Sequence, residues 1–161
     1  MRGRNSLGLQ HVLDRLEIMD VIFRYGQAVD DRDLEGVVSC FSTDIRACYN
    51  SGAFVMEGIE TVRRFFAQQF TEAGIGQNNP TTHAMTNVIV QVAGERAHVE
   101  TTALITLTKP EGIIVTRGVH YSDDCVKIQG RWVIQRRVHR PDWQMETPGK
   151  SFPRPTGATK P

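Results

Sequence analysis

The chain has 161 residues, of which 40% are hydrophobic and 23% charged, a length and composition that fit one domain with a sizeable core. The basic and acidic side chains nearly balance, leaving a formal charge of +1, so no overall field favours binding to nucleic acid or to a membrane surface. No apolar run approaches the ~20 residues of a membrane-spanning helix, and the amino terminus lacks the apolar core of a signal peptide. We therefore expect a cytoplasmic protein.

The first half of the chain predicts helices. Apolar residues recur at spacings of three and four, which favours a long helix from about residue 9 to 29; they are Leu9, Val12, Leu13, Leu16, Met19, Ile22 and Phe23. A short second helix is predicted to run to Phe41, capped by Asp31 or Asp33. A hairpin around Asn50-Ser51-Gly52 and a third helix after Gly58 are expected next.

From Thr81 onward the apolar residues alternate with polar ones, which indicates strands. Four long strands separated by turns at 94–95, 110–112 and 129–130 predict an antiparallel meander. Helices followed by such a sheet give an α+β domain, which we place at residues 1–143. Residues 144–161 are rich in Pro and Gly, so we expect an irregular carboxy-terminal tail.

Asp30 and His83 are the best candidates for proton-transfer chemistry. An imidazole titrates near neutrality, and a neighbouring carboxylate fixes its tautomer and supports its charged form. Other interpretations stay open at this point, because Asp30 could be a solvated residue of the turn and His83 could bond to backbone near Pro80. The pair acts chemically only if the fold brings the two side chains together.

No metal or cofactor is predicted. The histidines lack the spacing of a compact metal site, and the glycines form no phosphate-binding loop. Cys40, Cys48 and Cys125 are odd in number and match no zinc motif, so we interpret them as reduced residues of the core.

The chain resembles the SnoaL-like branch of the nuclear transport factor 2-like superfamily over roughly residues 9–143. The resemblance lies in the order of elements and in four stretches of sequence, which are Arg24-Tyr25, Asp30-Asp31-Arg32-Asp33-Leu34, Thr82-His83, and Gly130-Arg131-Trp132 before Arg137. It implies a cone-shaped, curved sheet, mainly antiparallel, with about three amino-terminal helices covering its concave face.

Within that superfamily the chain is most similar to the group of scytalone dehydratases, bile-acid dehydratases and hexachlorocyclohexane dehydrochlorinases. Their catalytic aspartate and histidine fall on Asp30 and His83. A pocket tyrosine of the bile-acid enzymes falls on Tyr25, one of the scytalone enzymes on Tyr49, and an arginine of the last strand on Arg137. The second pocket histidine of the scytalone enzymes falls near Ile105, and the dehydrochlorinase lysine falls on Tyr25, so the resemblance implies neither substrate.

Strand alternation and helix geometry test which of these residues can share a pocket. Tyr121 is predicted to face inward, which places His120 on the opposite face. Arg137 lies on the opposite face from Trp132 under strict alternation, so it reaches the pocket only through a bulge or a strand end. At ~100° per residue, Tyr25 and Asp30 lie about 140° apart on a helix. They share a pocket only if the helix ends early or the cavity wraps its tip.

Together with the Asp30 and His83 pair, the resemblance implies a cofactor-independent lyase, of the dehydratase or dehydrohalogenase type, acting on a small apolar or polycyclic substrate. His83, held by Asp30, removes a proton, and Tyr25, Tyr49 or Tyr121 hydrogen-bonds the oxygen that gains charge. An isomerase or polyketide cyclase would use the same first step. A non-catalytic binding or scaffolding subunit, like the small subunit of a ring-hydroxylating dioxygenase, is the alternative outside enzymes. Apolar surface on the outer sheet face predicts a homodimer or homotrimer.

Overall fold

Helices and strands follow the order predicted for an α+β protein. The structure is a computed structural model and describes residues 8–71, 79–109, 111–150 and 152. Its helices are α1 (Leu9–Asp31), α2 (Leu34–Val38) and α3 (Ile59–Gln69). Its strands are β1 (Phe41–Tyr49), β2 (Phe54–Glu57), β3 (Thr81–Ala93), β4 (Arg96–Lys109), β5 (Ile113–Ile128) and β6 (Arg131–Pro148). None of the helices in these ranges is long and apolar enough to cross a bilayer.

The strands form one curved sheet that does not close. Their order is β2-β1-β6-β5-β4-β3, with β1 and β6 parallel and every other neighbouring pair antiparallel. The meander predicted for β3 to β6 is therefore confirmed. In the antiparallel pairs, extra residues bulge out at three places, near Asn87 in β3 and at Gln135 and Asp142 in β6. Such bulges bend a strand and increase its twist, which helps curve the sheet around the helices.

Two boundaries differ from the sequence prediction. α2 begins after its amino-terminal cap Asp33, whose carboxylate accepts from the Gly36 N–H, and it ends at Val38. Phe41 begins β1 instead of ending α2 because it pairs with Ile134 of β6 in the sheet. β6 continues through Pro148, where it pairs with Ile113, so the beginning of the predicted irregular tail is strand. Residues 151 and 153–161 lie outside the described residues, and the domain boundary stays a prediction.

The helix α1 covers the inner face of the sheet, and two contacts position it there. Gly26 lies so close to β3 that an added Cβ would meet the His83 Cβ at 3.2 Å and the Met85 Cγ at 3.1 Å. At the other end of α1, Asp14 accepts hydrogen bonds from the Lys127 ammonium and from the Trp132 indole N–H. These bonds hold the pKa of Asp14 at about 2. The two contacts therefore hold α1 at both ends, and the Gly26 contact places its carboxy-terminal half against the start of β3.

Candidate active site

The side chains of Asp30 and His83 are in direct contact. His83 Nδ1 lies 2.6 Å from Asp30 Oδ1, and because a carboxylate can only accept, Nδ1 carries the proton of this hydrogen bond. The backbone N–H of His83 donates to the other carboxylate oxygen at 2.7 Å. Thr81 Oγ1 donates to Oδ1 at 2.9 Å. Asp30 is therefore a buried acceptor of three hydrogen bonds and not a solvated residue of the turn.

Arg32 ties the end of α1 to the start of β3. Its backbone takes the left-handed conformation with φ of 59°, which ends the helix and turns the side chain towards the sheet. The guanidinium donates to the carbonyl of Asp30 at 3.2 Å, to Thr81 Oγ1 at 2.7 Å and to the carbonyl of Asn79 at 2.6 Å. Because these bonds span both segments, they hold Asp30 and His83 together although 53 positions separate them in the chain.

A cavity of about 150 Å³ lies between the helices and the inner sheet face, and His83 forms part of its wall. Asp30 is not part of that wall, so it supports the imidazole from behind. Since α1 continues through Asp31, the helix does not end early. Tyr25 and Asp30 act on one cavity because Tyr25 faces it directly while Asp30 reaches it through His83. We call this space the inner cavity.

Tyr25, Tyr49 and Tyr121 also line the inner cavity. The hydroxyls of Tyr25 and Tyr49 are 2.9 Å apart and share a hydrogen bond. Burial is the main cause that raises the pKa of all three phenols above the ordinary value. They therefore stay protonated at neutral pH and can donate hydrogen bonds to an oxygen in the cavity.

Arg137 turns inward through a bulge but does not reach the cavity wall. The pairing of β5 with β6 leaves Gln135 as an extra residue, since Asp124 lies opposite Arg136 and Cys125 opposite Ile134. The Arg137 guanidinium is completely buried and forms two hydrogen bonds to Asp123, at 2.8 and 2.7 Å. It lies 4.0 Å from the ring centre of Tyr25 and 4.6 Å from that of Tyr121. Arg137 therefore packs against the rings of Tyr25 and Tyr121 and helps to position them, without lining the cavity itself.

His139 is a cavity residue that the sequence analysis missed. Its Nδ1 accepts the backbone N–H of Asn50 at 3.1 Å, so the ring proton is on Nε2. The imidazole stacks on Tyr49 with ring centres 5.0 Å apart. Burial, and then the charge of Arg137, lower its pKa to about 4. At neutral pH the ring is neutral and is a hydrogen-bond donor. Strand alternation could have indicated this position, because His139 follows Arg137 by two residues and therefore lies on the same face of β6.

The neutral state of His139 predicts an acid-dependent loss of stability. Its pKa of about 4 in the folded protein is below the ordinary 6.5. The unfolded chain therefore binds the proton first, so stability is full above pH 6.5 and falls between pH 6.5 and 4, by about 3 kcal/mol if no other group compensates. His139→Gln, which keeps an acceptor for Asn50 but cannot titrate, is expected to flatten this part of the profile. The free energy of unfolding is measured by urea unfolding at a series of pH values from 4.5 to 7.5.

The control for this prediction is His11→Gln, which removes a histidine near the amino end of α1. It is expected to leave the profile of the parent protein unchanged between pH 4.5 and 7.5. An equally steep profile in His139→Gln and in the parent protein would contradict the neutral, buried state of His139.

In the described ranges, no three His, Cys, Asp or Glu side chains converge on one point. The polar groups of the inner cavity are an imidazole supported by a carboxylate and several neutral hydrogen-bond donors around a small space. This fold and this arrangement define the class of protein. The chain belongs to the SnoaL-like domain family, whose model matches residues 10–138.

Individual proteins are similar to this chain over most of its length. An uncharacterized protein of Mycobacterium tuberculosis, Rv2910c, is 23% identical over 137 residues, covering 84% of this chain and 90% of the relative. The crystal structure of a type 2 hexachlorocyclohexane dehydrochlorinase (LinA) has a TM-score of 0.76 at 18% identity, with 92% and 98% of the two chains covered. A provisionally described scytalone dehydratase from Novosphingobium aromaticivorans has a TM-score of 0.71 at 19% identity, with 92% and 97% covered. At these identities the two solved structures show a shared fold.

Proposed function

We propose that this protein is a cofactor-independent lyase in which His83 is the general base and Asp30 holds it. The observation that carries the proposal is the 2.6 Å contact between His83 Nδ1 and Asp30 Oδ1. It leaves Nε2 as the basic nitrogen, and Nε2 has no hydrogen-bond partner within the described part of the chain. A basic nitrogen on a cavity wall, with its tautomer fixed by a buried carboxylate, is suited to take a proton from a bound carbon acid.

The proposed reaction is an elimination. Nε2 of His83 takes a proton from the carbon next to a carbonyl, and the electrons of the broken C–H bond form the new double bond. A hydroxyl or halide leaves from the adjacent carbon with the electrons of its own bond. The tyrosine hydroxyls and His139 donate hydrogen bonds to the carbonyl oxygen as it gains negative charge, or to the departing hydroxyl. Donors already held in position stabilise this charge without reorganising.

The size of the inner cavity favours the smaller of the predicted substrates. A volume of about 150 Å³ is below the ~300–1,000 Å³ usual for sites that bind drug-sized molecules. One ring, or two fused rings, fits better than a steroid-like skeleton. Aromatic and aliphatic side chains, including Phe65, Phe66 and Ile105, form much of the wall, which suits an apolar reacting portion.

One alternative to a lyase is an enzyme that begins with the same step, and the other is a protein without catalytic activity. An isomerase or polyketide cyclase would use the same proton abstraction, with the proton returned to another carbon or a ring closed in place of a departing group. A binding or scaffolding subunit would need no contact between Asp30 and His83 and could fill its cavity with side chains. The contact and the open inner cavity favour an enzyme over a scaffold.

Deuterium exchange tests the proposal without knowing the natural substrate. We suggest incubating the protein in D2O with small β-hydroxy and β-halo ketones, beginning with 3-hydroxycyclohexanone, and following the α-hydrogens by NMR. A lyase is expected to accelerate both α-exchange and release of the unsaturated ketone above the protein-free rate. Exchange without elimination would indicate an isomerase or cyclase. Binding without either reaction would contradict the proposed lyase and favour a ligand-binding protein.

The predicted homodimer or homotrimer stays a proposal. It is supported by large apolar side chains on the sheet that remain about half exposed in the single chain, among them Trp143, Met145 and Leu104. Burying such residues against a second copy would remove apolar surface from water. A cytoplasmic location also stays a prediction.

A further inference from the structure

Arg117 lies where the inner cavity meets a second space. We call that space the outer cavity; it has a volume of about 370 Å³. The described residues around it are Asn50, Arg117, Pro141, Asp142, Trp143 and Gln144. Asn50 and Arg117 also line the inner cavity. The two spaces are therefore neighbours with a shared wall, and a molecule seated in the inner cavity could extend past Arg117 into the outer one.

The charge of Arg117 is not neutralised by any carboxylate of the described ranges. Its Nε donates to the neutral side chain of Gln144 at 2.7 Å, and Arg117 forms no ion pair with a described residue. The described wall of the inner cavity contains no carboxylate. That of the outer cavity contains Asp142, which is already paired with Arg140 at 2.9 Å and with His120 at 3.3 Å.

The charge of Arg117 also acts inside the inner cavity. It contributes, after burial and the charge of Arg137, to the lowered pKa of His139. The buried Arg137 is compensated by Asp123, so among the described residues the positive charge at this site that lacks a carboxylate partner belongs to Arg117. With its Nε bonded to Gln144, the guanidinium still has its terminal N–H groups for a ligand, and such groups bind oxyanions in a bidentate way.

We propose that Arg117 is an anion-binding residue, and that the substrate carries an oxyanion, carboxylate or phosphate, attached to the apolar portion that enters the inner cavity. The identification of this ligand as a substrate rests on the proposed lyase function, whereas the binding itself does not. The anionic group lies at the boundary with the outer cavity, and the reacting carbon lies deeper, beside His83. Arg117 thereby selects the substrate and sets the direction in which it enters.

Matched ligands separate this role from a purely structural one. The probes are 3-phenylpropanoate, 2-phenylethyl phosphate and the neutral 3-phenylpropanamide, with dissociation constants measured by calorimetry or ligand-observed NMR at low salt. We expect the parent protein to bind at least one anion about tenfold more tightly than the amide, because a charge-assisted hydrogen bond is lost with the amide. The preference should shrink with added salt. Which anion binds more tightly indicates the class of the natural oxyanion.

Two charge-matched variants decide the assignment. Arg117→Gln is expected to abolish the preference for the anions, while Arg131→Gln, which removes an exposed arginine at the start of β6, is expected to keep it. Equal binding of anions and amide by the parent protein, no binding of the anions at millimolar concentration, or a preference that survives Arg117→Gln would overturn the proposal. His83→Ala should keep the preference, so the anion site can be established even if the proposed lyase reaction fails.

Discussion

Replacing His83 by alanine is expected to lower the rate of α-proton exchange and elimination by about 10²- to 10⁴-fold, the usual contribution of general acid-base catalysis. The variant removes the only group that we propose as the base, yet Asp30 still accepts from Thr81 and from the backbone of residue 83. The fold is therefore expected to persist. Asp30→Asn should cause a loss within the same range, because an amide neither fixes the tautomer of His83 nor stabilises its protonated form. The rates of α-proton exchange and of elimination are both measured by NMR in D2O, with a ketone that the parent protein converts.

The control for both variants is His120→Ala. His120 belongs to the same sheet but is 41% exposed and pairs with Asp142, so its loss is expected to leave the exchange rate unchanged. Circular dichroism and thermal unfolding would show whether each variant is folded. Full activity in folded His83→Ala and Asp30→Asn would refute the mechanism, since no other carboxylate-imidazole contact of the described residues lies at the inner cavity.

Replacing Asp123 by asparagine is expected to lower the free energy of unfolding by about 3–5 kcal/mol, the usual cost of breaking a buried ion pair from one side. Both partners are completely buried, and the variant leaves the Arg137 cation without a counterion. The double variant Asp123→Leu with Arg137→Met is expected to recover much of this loss, because no charge then remains buried. Urea unfolding at neutral pH gives the free energy of unfolding of the parent and of each of the two variants.

Arg136→Met is the matched control for this prediction. Arg136 precedes Arg137 in the chain but points to the other face, where it is exposed and lies 3.7 Å from Asp124. Exposed ion pairs contribute about 0–1 kcal/mol, so this variant should be nearly neutral. A cost for Asp123→Asn no greater than that for Arg136→Met would mean that the buried pair does not stabilise the fold.

Much of the fold follows from local patterns. The three-and-four spacing of apolar residues in α1 and the alternation in β5 reflect which face of each element is buried, and the structure confirms the α+β arrangement that they predict. Alternation also places Tyr121 on the inner face together with Asp123. A carboxylate on a buried face needs a cation, so the same pattern could have indicated that Asp123 has a basic partner. The roles assigned to the site residues stay predictions.

Other features depend on contacts between distant parts of the chain. Nothing local marks Arg32 as the residue that joins Asp30 to Thr81, because its bonds form only when α1 and β3 are already adjacent. Phe41 looks helical beside Val37 and Val38, yet it begins β1 because the parallel pairing with β6 draws it into the sheet. The cavity volume depends on the packing of side chains from several elements. Periodicity in one segment cannot report it.

The extra residue at Gln135 has a consequence for comparing relatives. Every side chain between it and the second extra residue of β6, Asp142, has changed parity, so Arg137 and His139 face the tyrosines only in chains that keep this one-residue offset. A relative with an uninterrupted strand would present its neighbouring positions inward instead. Two homologues could therefore carry the same letters in β6 and still enclose chemically different cavities. Alignments of this family are best anchored on the Asp123 pairing, with gaps placed at Gln135.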